Sequence, residues 1–218
     1  MRRRSLTTAD STLISQLADA DKAPKISELS AEQPANDQRN MKSLQEKYTK
    51  EIIPVLRTKF GYKNVMAIPR IKKVVINAGV GRFREEKERQ EIEKYILIIT
   101  GQKPSPRPAK QAIAAFKTRK GLIVGYQVTL RGKRMYDFIS RLINIALPRT
   151  RDFQGLDPKA FDTSGNLTIG VKENIVFPEM IGEDYRFLFG LEVTVVTSAR
   201  KKEEAIELLK QIGFPIKS

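Results

Sequence analysis

The sequence contains no cysteine, no histidine and no tryptophan. Without cysteine there is no disulfide framework and no thiolate metal site. Without histidine, serine–histidine and cysteine–histidine nucleophile systems cannot be built, nor can the common zinc sites. Catalysis would have to rest on Asp, Glu, Lys, Tyr or Arg, which lowers the prior for an enzyme, and no metal site is expected. No apolar run approaches the roughly 18 residues of a membrane span, so no membrane partner is expected. There is no Gly-Lys-Ser/Thr phosphate loop and no internal repeat.

What remains is basic. The 218 residues include 40 Lys and Arg against 25 Asp and Glu, a net charge of +15. The excess is uneven: residues 1–40 hold six basic and six acidic residues, whereas 41–218 hold 34 and 19 and carry all of it. Residues 1–40 are rich in Ser, Thr, Ala, Asp, Gln and Pro, and are expected to form a disordered or weakly ordered extension. The Met-Arg-Arg-Arg start has no following apolar run and so is not a secretory signal; a start at Met41 is the simplest alternative. Residues 41–218 have enough apolar content for one core, and the charge points to an anionic partner such as a phosphate backbone.

Two strands give that partner a surface. In Lys72-Lys73-Val74-Val75-Ile76-Asn77 the period of two sends Val74 and Ile76 to the core, and Lys73, Val75 and Asn77 outward. In Tyr126-Gln127-Val128-Thr129-Leu130-Arg131, Tyr126, Val128 and Leu130 face inward, and Gln127, Thr129 and Arg131 outward. A sheet with one wet, cationic face follows. The exposed aromatic pair of an RNA-recognition-motif sheet is missing, so recognition would lean on backbone, 2′-hydroxyl and shape.

The order of elements predicts an α+β fold with a largely antiparallel sheet backed by helices. Ser43-Leu44-Gln45-Glu46 reads as a capping box opening a helix that closes at Gly61, with Pro54 inside it as a kink. A strand around 71–77 follows, then a helix from about Glu85 to Ile99, whose run Glu85-Glu86-Lys87-Glu88-Arg89 reads as surface ion pairs. Lys103–Pro108 reads as an extended lead-in. Ala112–Lys117 and Leu122–Leu130 read as hairpin strands around the cationic tip Thr118-Arg119-Lys120-Gly121. A helix at about Lys133–Leu147 is ended by Pro148. A basic loop region with Arg149-Thr150-Arg151 follows, then strands near Leu167–Val176 and Leu191–Ser198. A last helix covers about 200–212 and stops at Gly213. Lys201-Lys202 is a second basic cluster. Asn77-Ala78-Gly79-Val80-Gly81 resembles the opening of a dinucleotide site, but the third glycine is replaced by Arg84. A nucleotide-binding enzyme using Gly79–Gly81 is therefore the alternative reading, and a free RNA chaperone a third.

From about Met41 to Ser218 the chain resembles the bacterial large-subunit ribosomal protein five family. The matching motifs are Val65-Met66 with Ile68-Pro69-Arg70, Asn77-Ala78-Gly79-Val80-Gly81, Thr100-Gly101-Gln102-Lys103-Pro104 and Val128-Thr129-Leu130-Arg131-Gly132. They continue with Leu147-Pro148-Arg149-Thr150-Arg151-Asp152-Phe153-Gln154-Gly155-Leu156, Phe161-Asp162 with Gly165-Asn166, Ile175-Val176-Phe177-Pro178-Glu179 and Gly190-Leu191-Glu192-Val193. The resemblance implies an RNA-recognition-motif-like, ferredoxin-like sheet and a cytoplasmic, ribosomal, non-catalytic protein without cofactors. It implies 5S rRNA as the main ligand in the central protuberance. The other implied partners are large-subunit rRNA of the 23S type, neighbouring large-subunit proteins, peptidyl-site tRNA and the small-subunit head protein S-thirteen.

The residues implied to contact 5S rRNA are Asn77, Gln102, Thr129 and Arg131. Gln102 comes from the resemblance alone, and Lys73 and Gln127 join them from the strand pattern. Lys117, Thr118, Arg119 and Lys120, within the loop Phe116–Gly121, match the loop that approaches the tRNA. The bridge to S-thirteen falls on the loops between 149 and 190. The chain departs from the family at Gln111 and Ala112, where a basic residue and Ser are usual.

Overall fold

The computed structural model describes residues 44–217 apart from 84, 152 and 181–186. The expected extension 1–40 and the Ser43 cap lie outside the described residues. Strands β1 (Ile71–Gly79), β2 (Ser105–Pro108), β3 (Ile123–Leu130), β4 (Leu167–Val171) and β5 (Leu191–Thr197) form one antiparallel sheet in the order β2-β3-β1-β5-β4. The helices are α1 (residues 44–60), α2 (Glu86–Thr100), α3 (residues 132–149) and α4 (Lys202–Ile212). With β4 set aside as an added edge strand, the path reads β-α-β-β-α-β, the ferredoxin-like arrangement of RNA-recognition motifs.

Alternation builds the core. In β1, Val74, Ile76 and Ala78 are buried, while Lys73, Val75 and Asn77 are half-buried on the other face. A register shift between Ile71 and Lys73 lets Ile71 point inward as well. In β3, Tyr126, Val128 and Leu130 are buried, and β5 adds Leu191, Val193 and Val195. Ile92, Tyr95, Ile96 and Ile99 of α2, Met135, Phe138, Ile139 and Leu142 of α3, and Leu208, Leu209 and Ile212 of α4 complete the same apolar cluster. Lys59 of α1 and Glu207 of α4 meet at 2.7 Å. Glycine is required at Gly165, where φ is +76° and a Cβ would lie 2.9 Å from Ala205 Cβ.

Several expectations are corrected. Ala112–Lys117 is not a strand: it holds a single bridge from Ile113 to Thr118 around the 3-10 turn Ala114–Phe116. The strand that pairs with β3 is instead the proline-rich Ser105–Pro108. Prolines are tolerated there because β2 is an edge strand, and only alternate N–H groups of an edge face the neighbour. The strand expected over Leu167–Val176 stops at Val171 and gives way to a 3-10 turn at Asn174–Val176, where buried Asn174 accepts the Phe189 N–H at 3.4 Å. Glu85 and Glu88 form a reciprocal capping box on α2, a role that the ion-pair reading of that run did not include.

Both proline-bearing helices share one device. A π-helical stretch, Tyr48–Ile52 in α1 and Leu142–Ala146 in α3, ends two residues before Pro54 and Pro148 respectively. The wider turn accommodates the ring and the missing N–H. Pro148 therefore does not end α3, which runs on to Arg149.

Candidate nucleic-acid interface

The outer face of the sheet brings the sequence-selected residues together. Asn77 on β1 lies beside Gln127 on β3 and Glu192 on β5, and Gln127 lies beside Ser105 on β2. The next row reads Thr129, Val75, Thr194 and Thr168. The Thr168 and Thr194 hydroxyls are 3.4 Å apart. Lys73 follows one row on, beside Val196. Among the described residues this face carries no aromatic side chain. It is also light in side chains, because Gly79 on β1, Gly125 on β3 and Gly170 on β4 face outward. At Gly79 and Gly170 a Cβ would meet nothing within 4 Å, so a ligand can reach the backbone there.

Gln102 joins this face through the turn after α2. The Thr100 hydroxyl donates to Ile96 O at 2.7 Å and accepts the Gln102 N–H at 3.3 Å, while Gly101 turns the chain at φ +67°. Gln102 Nε2 then donates to Thr129 O at 3.4 Å. Arg131 is exposed at the end of β3, in extended conformation, before Gly132 at φ +58° starts α3. All six selected residues thus lie on or beside one surface. Arg107 and Glu192 were missed. Arg107 donates to Gln127 Oε1, and Glu192 Oε2 accepts from Asn77 Nδ2 at 3.5 Å. Arg107 sits in a run that reads as a lead-in, and Glu192 within the motif Gly190-Leu191-Glu192-Val193; period-two counting along β2 and β5 marks both.

The second surface is the loop between β2 and β3. It is closed at its base by Ala109 N–H to Leu122 O at 2.8 Å and Gly121 N–H to Ala109 O at 3.0 Å. Lys117 has φ +53°, and Thr118 Oγ1 donates to Ile113 O at 3.3 Å. Lys117, Thr118, Arg119 and Lys120 therefore share a tight turn, separate from the sheet face. Phe116, which composition did not single out, is 76% exposed beside them. A groove of about 750 Å³ lies between this loop and Gly81-Arg82.

Some matched motifs are structural. Asp162 accepts the Asn166 N–H and amide, each at 2.7 Å, and Asn166 Oδ1 in turn accepts the Thr197 N–H at 3.2 Å. Burial opposes the Asp162 charge, but these bonds and one from the Ser164 backbone hold its carboxyl below the usual range. Glu179 pairs with Arg141, whose guanidinium also donates to Ile99 O at 3.2 Å; burial lowers its pKa, and Asp137 acts in the opposite sense. Burial, reinforced by Tyr136, pushes Tyr48 up to about 12, so its hydroxyl stays protonated and donates to Pro69 O at 3.0 Å.

The nucleotide alternative fails on geometry. A phosphate would have to sit at the start of α2, but the Glu85 and Glu88 carboxylates already cap that end, with Glu86 beside them. Their negative charge repels phosphate there. Arg149 and Arg151 line a cleft of about 550 Å³ with Lys172 and Glu173. Lys201 precedes the first turn of α4, which carries Glu203 and Glu204.

Comparison with known proteins agrees with this architecture. The family model described as "Ribosomal protein L5" matches residues 64–119, and the model for the C-terminus of the same ribosomal family matches residues 123–216. Three relatives bear the name "Large ribosomal subunit protein uL5". That of Halothermothrix orenii is 49% identical over 176 residues, 80% of this chain and 98% of the relative. That of Dictyoglomus turgidum is 48% identical, covering 81% and 99% respectively. That of Desulfosudis oleivorans is 48% identical, covering 82% and 100%. Both motif-bearing halves are covered, at an identity far above what shared fold alone would give. This chain belongs to the ribosomal protein L5 family and is a structural, non-catalytic constituent of the large ribosomal subunit.

Proposed function

We propose that the outer sheet face holds 5S rRNA in the central protuberance of the large subunit. The observation that carries this reading is the convergence of Lys73, Asn77, Gln102, Gln127, Thr129 and Arg131 on one open, side-chain-light face of a strongly basic protein. Lys and Arg supply affinity by neutralising phosphates and releasing counterions. The amides and hydroxyls of a rigid sheet set register on sugar and base edges. The loop 116–121 approaches the peptidyl-site tRNA, and the loops between 149 and 190 contribute to a bridge to the small-subunit head protein S-thirteen. Contacts with large-subunit rRNA of the 23S type and with neighbouring large-subunit proteins complete the assembly, in the cytoplasm as part of the ribosome.

Filter binding of 5S rRNA and of an unrelated hairpin RNA of equal length tests the central element. A preference for 5S rRNA of about a thousandfold or more is expected of a specific site. Equal affinity for the two RNAs would overturn the proposal and favour a non-selective RNA chaperone.

A further inference from the structure

The Asn77–Glu192 contact joins a longer chain of polar side chains. Arg107, Gln127, Asn77 and Glu192 stand on β2, β3, β1 and β5, so one polar ladder crosses four adjoining strands, cation at one end and carboxylate at the other. The charges at its ends decide which way each amide points. Guanidinium only donates, so Gln127 must turn its Oε1 to Arg107 and keep its NH2 group for a ligand. Carboxylate only accepts, so Asn77 must turn its NH2 group to Glu192 and keep Oδ1 free. Among the described residues no donor meets that Oδ1. It lies 3.9 Å from where a Gly125 Cβ would be; Gly125 is buried, and a Cβ there would also press on Ala78 O at 3.1 Å, so the glycine keeps a side chain from crowding that oxygen.

We propose that Glu192 is the specificity-determining carboxylate of the RNA face: it fixes the Asn77 amide so that Asn77 Oδ1 accepts an N–H or O–H donor of RNA, with the carboxylate a neighbouring acceptor. Phosphate oxygens only accept and are negative, so a phosphate cannot dock over this pair. The donor is a 2′-hydroxyl, or an amino or imino N–H of a base. Glu192 is the one carboxylate that the described strands place on this face, and its charge subtracts from affinity for RNA in general. In exchange it makes a phosphate backbone laid at random across the sheet a poor fit. Selectivity bought with affinity in this way is an instance of negative selection against wrong partners.

The inference rests on the proposed RNA-binding reading. The test compares wild type, Glu192→Gln and Glu192→Ala for binding to 5S rRNA and to an unrelated hairpin RNA. Glu192→Gln keeps an acceptor for Asn77 and removes only the charge. Both variants are expected to melt as wild type does, because Glu192 is exposed. Both should bind the unrelated hairpin a few-fold more tightly, while their preference for 5S rRNA falls about tenfold or more. Loss of the wild-type sensitivity to 2′-deoxy substitution in the 5S target would assign the donor to a hydroxyl. Loss of its sensitivity to inosine in place of guanosine would assign the donor to the base amino group. Unchanged preference in the variants, with wild type selective, would overturn the inference and leave the proposed function standing. A wild type with no preference would remove the proposed function itself.

Discussion

Ile76 and Asn77 are neighbours on the central strand β1, and the fold assigns them opposite duties. Ile76 is 1% exposed, between Val128 and Val193 of the flanking strands. Ile76→Ala removes buried methyl and methylene groups at a site held on both sides by strand pairing, where collapse into the gap is limited. The cost should be about 3–4 kcal/mol, within the range of such truncations. For a domain of this size that lowers Tm by about 10 °C. Among the described residues the Asn77 side chain makes one hydrogen bond, at 3.5 Å to exposed Glu192. Asn77→Ala should therefore cost only a few tenths of a kcal/mol in stability. Its effect falls on RNA, where an unpaired donor costs about 1–3 kcal/mol, or about 5- to 150-fold in Kd. Denaturant melts give the first quantity, and filter binding well below Tm gives the second. If Asn77→Ala destabilises as much as Ile76→Ala, or Ile76→Ala weakens binding by correctly folded molecules as much as Asn77→Ala, the face assignment is wrong.

Three further outcomes are expected. Log K for 5S rRNA should fall against log salt with a slope of about −4, given roughly five phosphate contacts; a flat response in a salt series contradicts an electrostatic interface. Arg119→Glu combined with Lys120→Glu should leave 5S content of assembled subunits intact while weakening peptidyl-site tRNA binding, since the tip is separate from the sheet face; loss of 5S rRNA with unchanged tRNA binding would merge the two surfaces. The lowered Asp162 pKa gives a stability contribution present above the ordinary carboxylate range and lost as pH falls through the folded-state value. The Tm gap between wild type and Asp162→Asn should therefore narrow from pH 7 to pH 3, and a constant gap would mean that the carboxylate bonds to Asn166 add nothing.

Where a residue's side-chain period decided its place, the sequence was readable. Lys73, Asn77, Gln127 and Thr129 face outward because Val74, Ile76, Tyr126, Val128 and Leu130 must face inward. Gly61, Gly101 and Gly213 end their helices in the left-handed conformation, as their positions after apolar-periodic runs implied. Gln102 had no such signal. It reaches the site through the Thr100–Gly101 turn and a contact with Thr129, 27 positions away. Pairing across the sheet is equally silent in local pattern. The prolines of β2 make the run read as an extended lead-in, yet an edge position lets it pair with β3 and brings Arg107 to the face. Ala112–Lys117 has strand-like composition, but Ile113 and Thr118 close a small turn instead. Asp162, Asn166 and Glu179 belong to motifs of the family match, and their hydrogen bonds and ion pairing show that they hold loops in place.

The central claim is that the sheet face itself meets 5S rRNA. Ultraviolet crosslinking of the tagged protein in intact large subunits, followed by sequencing of the attached RNA and mapping of the attached peptides, tests it most directly. The account predicts 5S rRNA joined to peptides spanning residues 73–79, 102–107 and 125–131. Crosslinks to 5S rRNA confined to the helical side, or a sheet face joined only to other RNA, would contradict it.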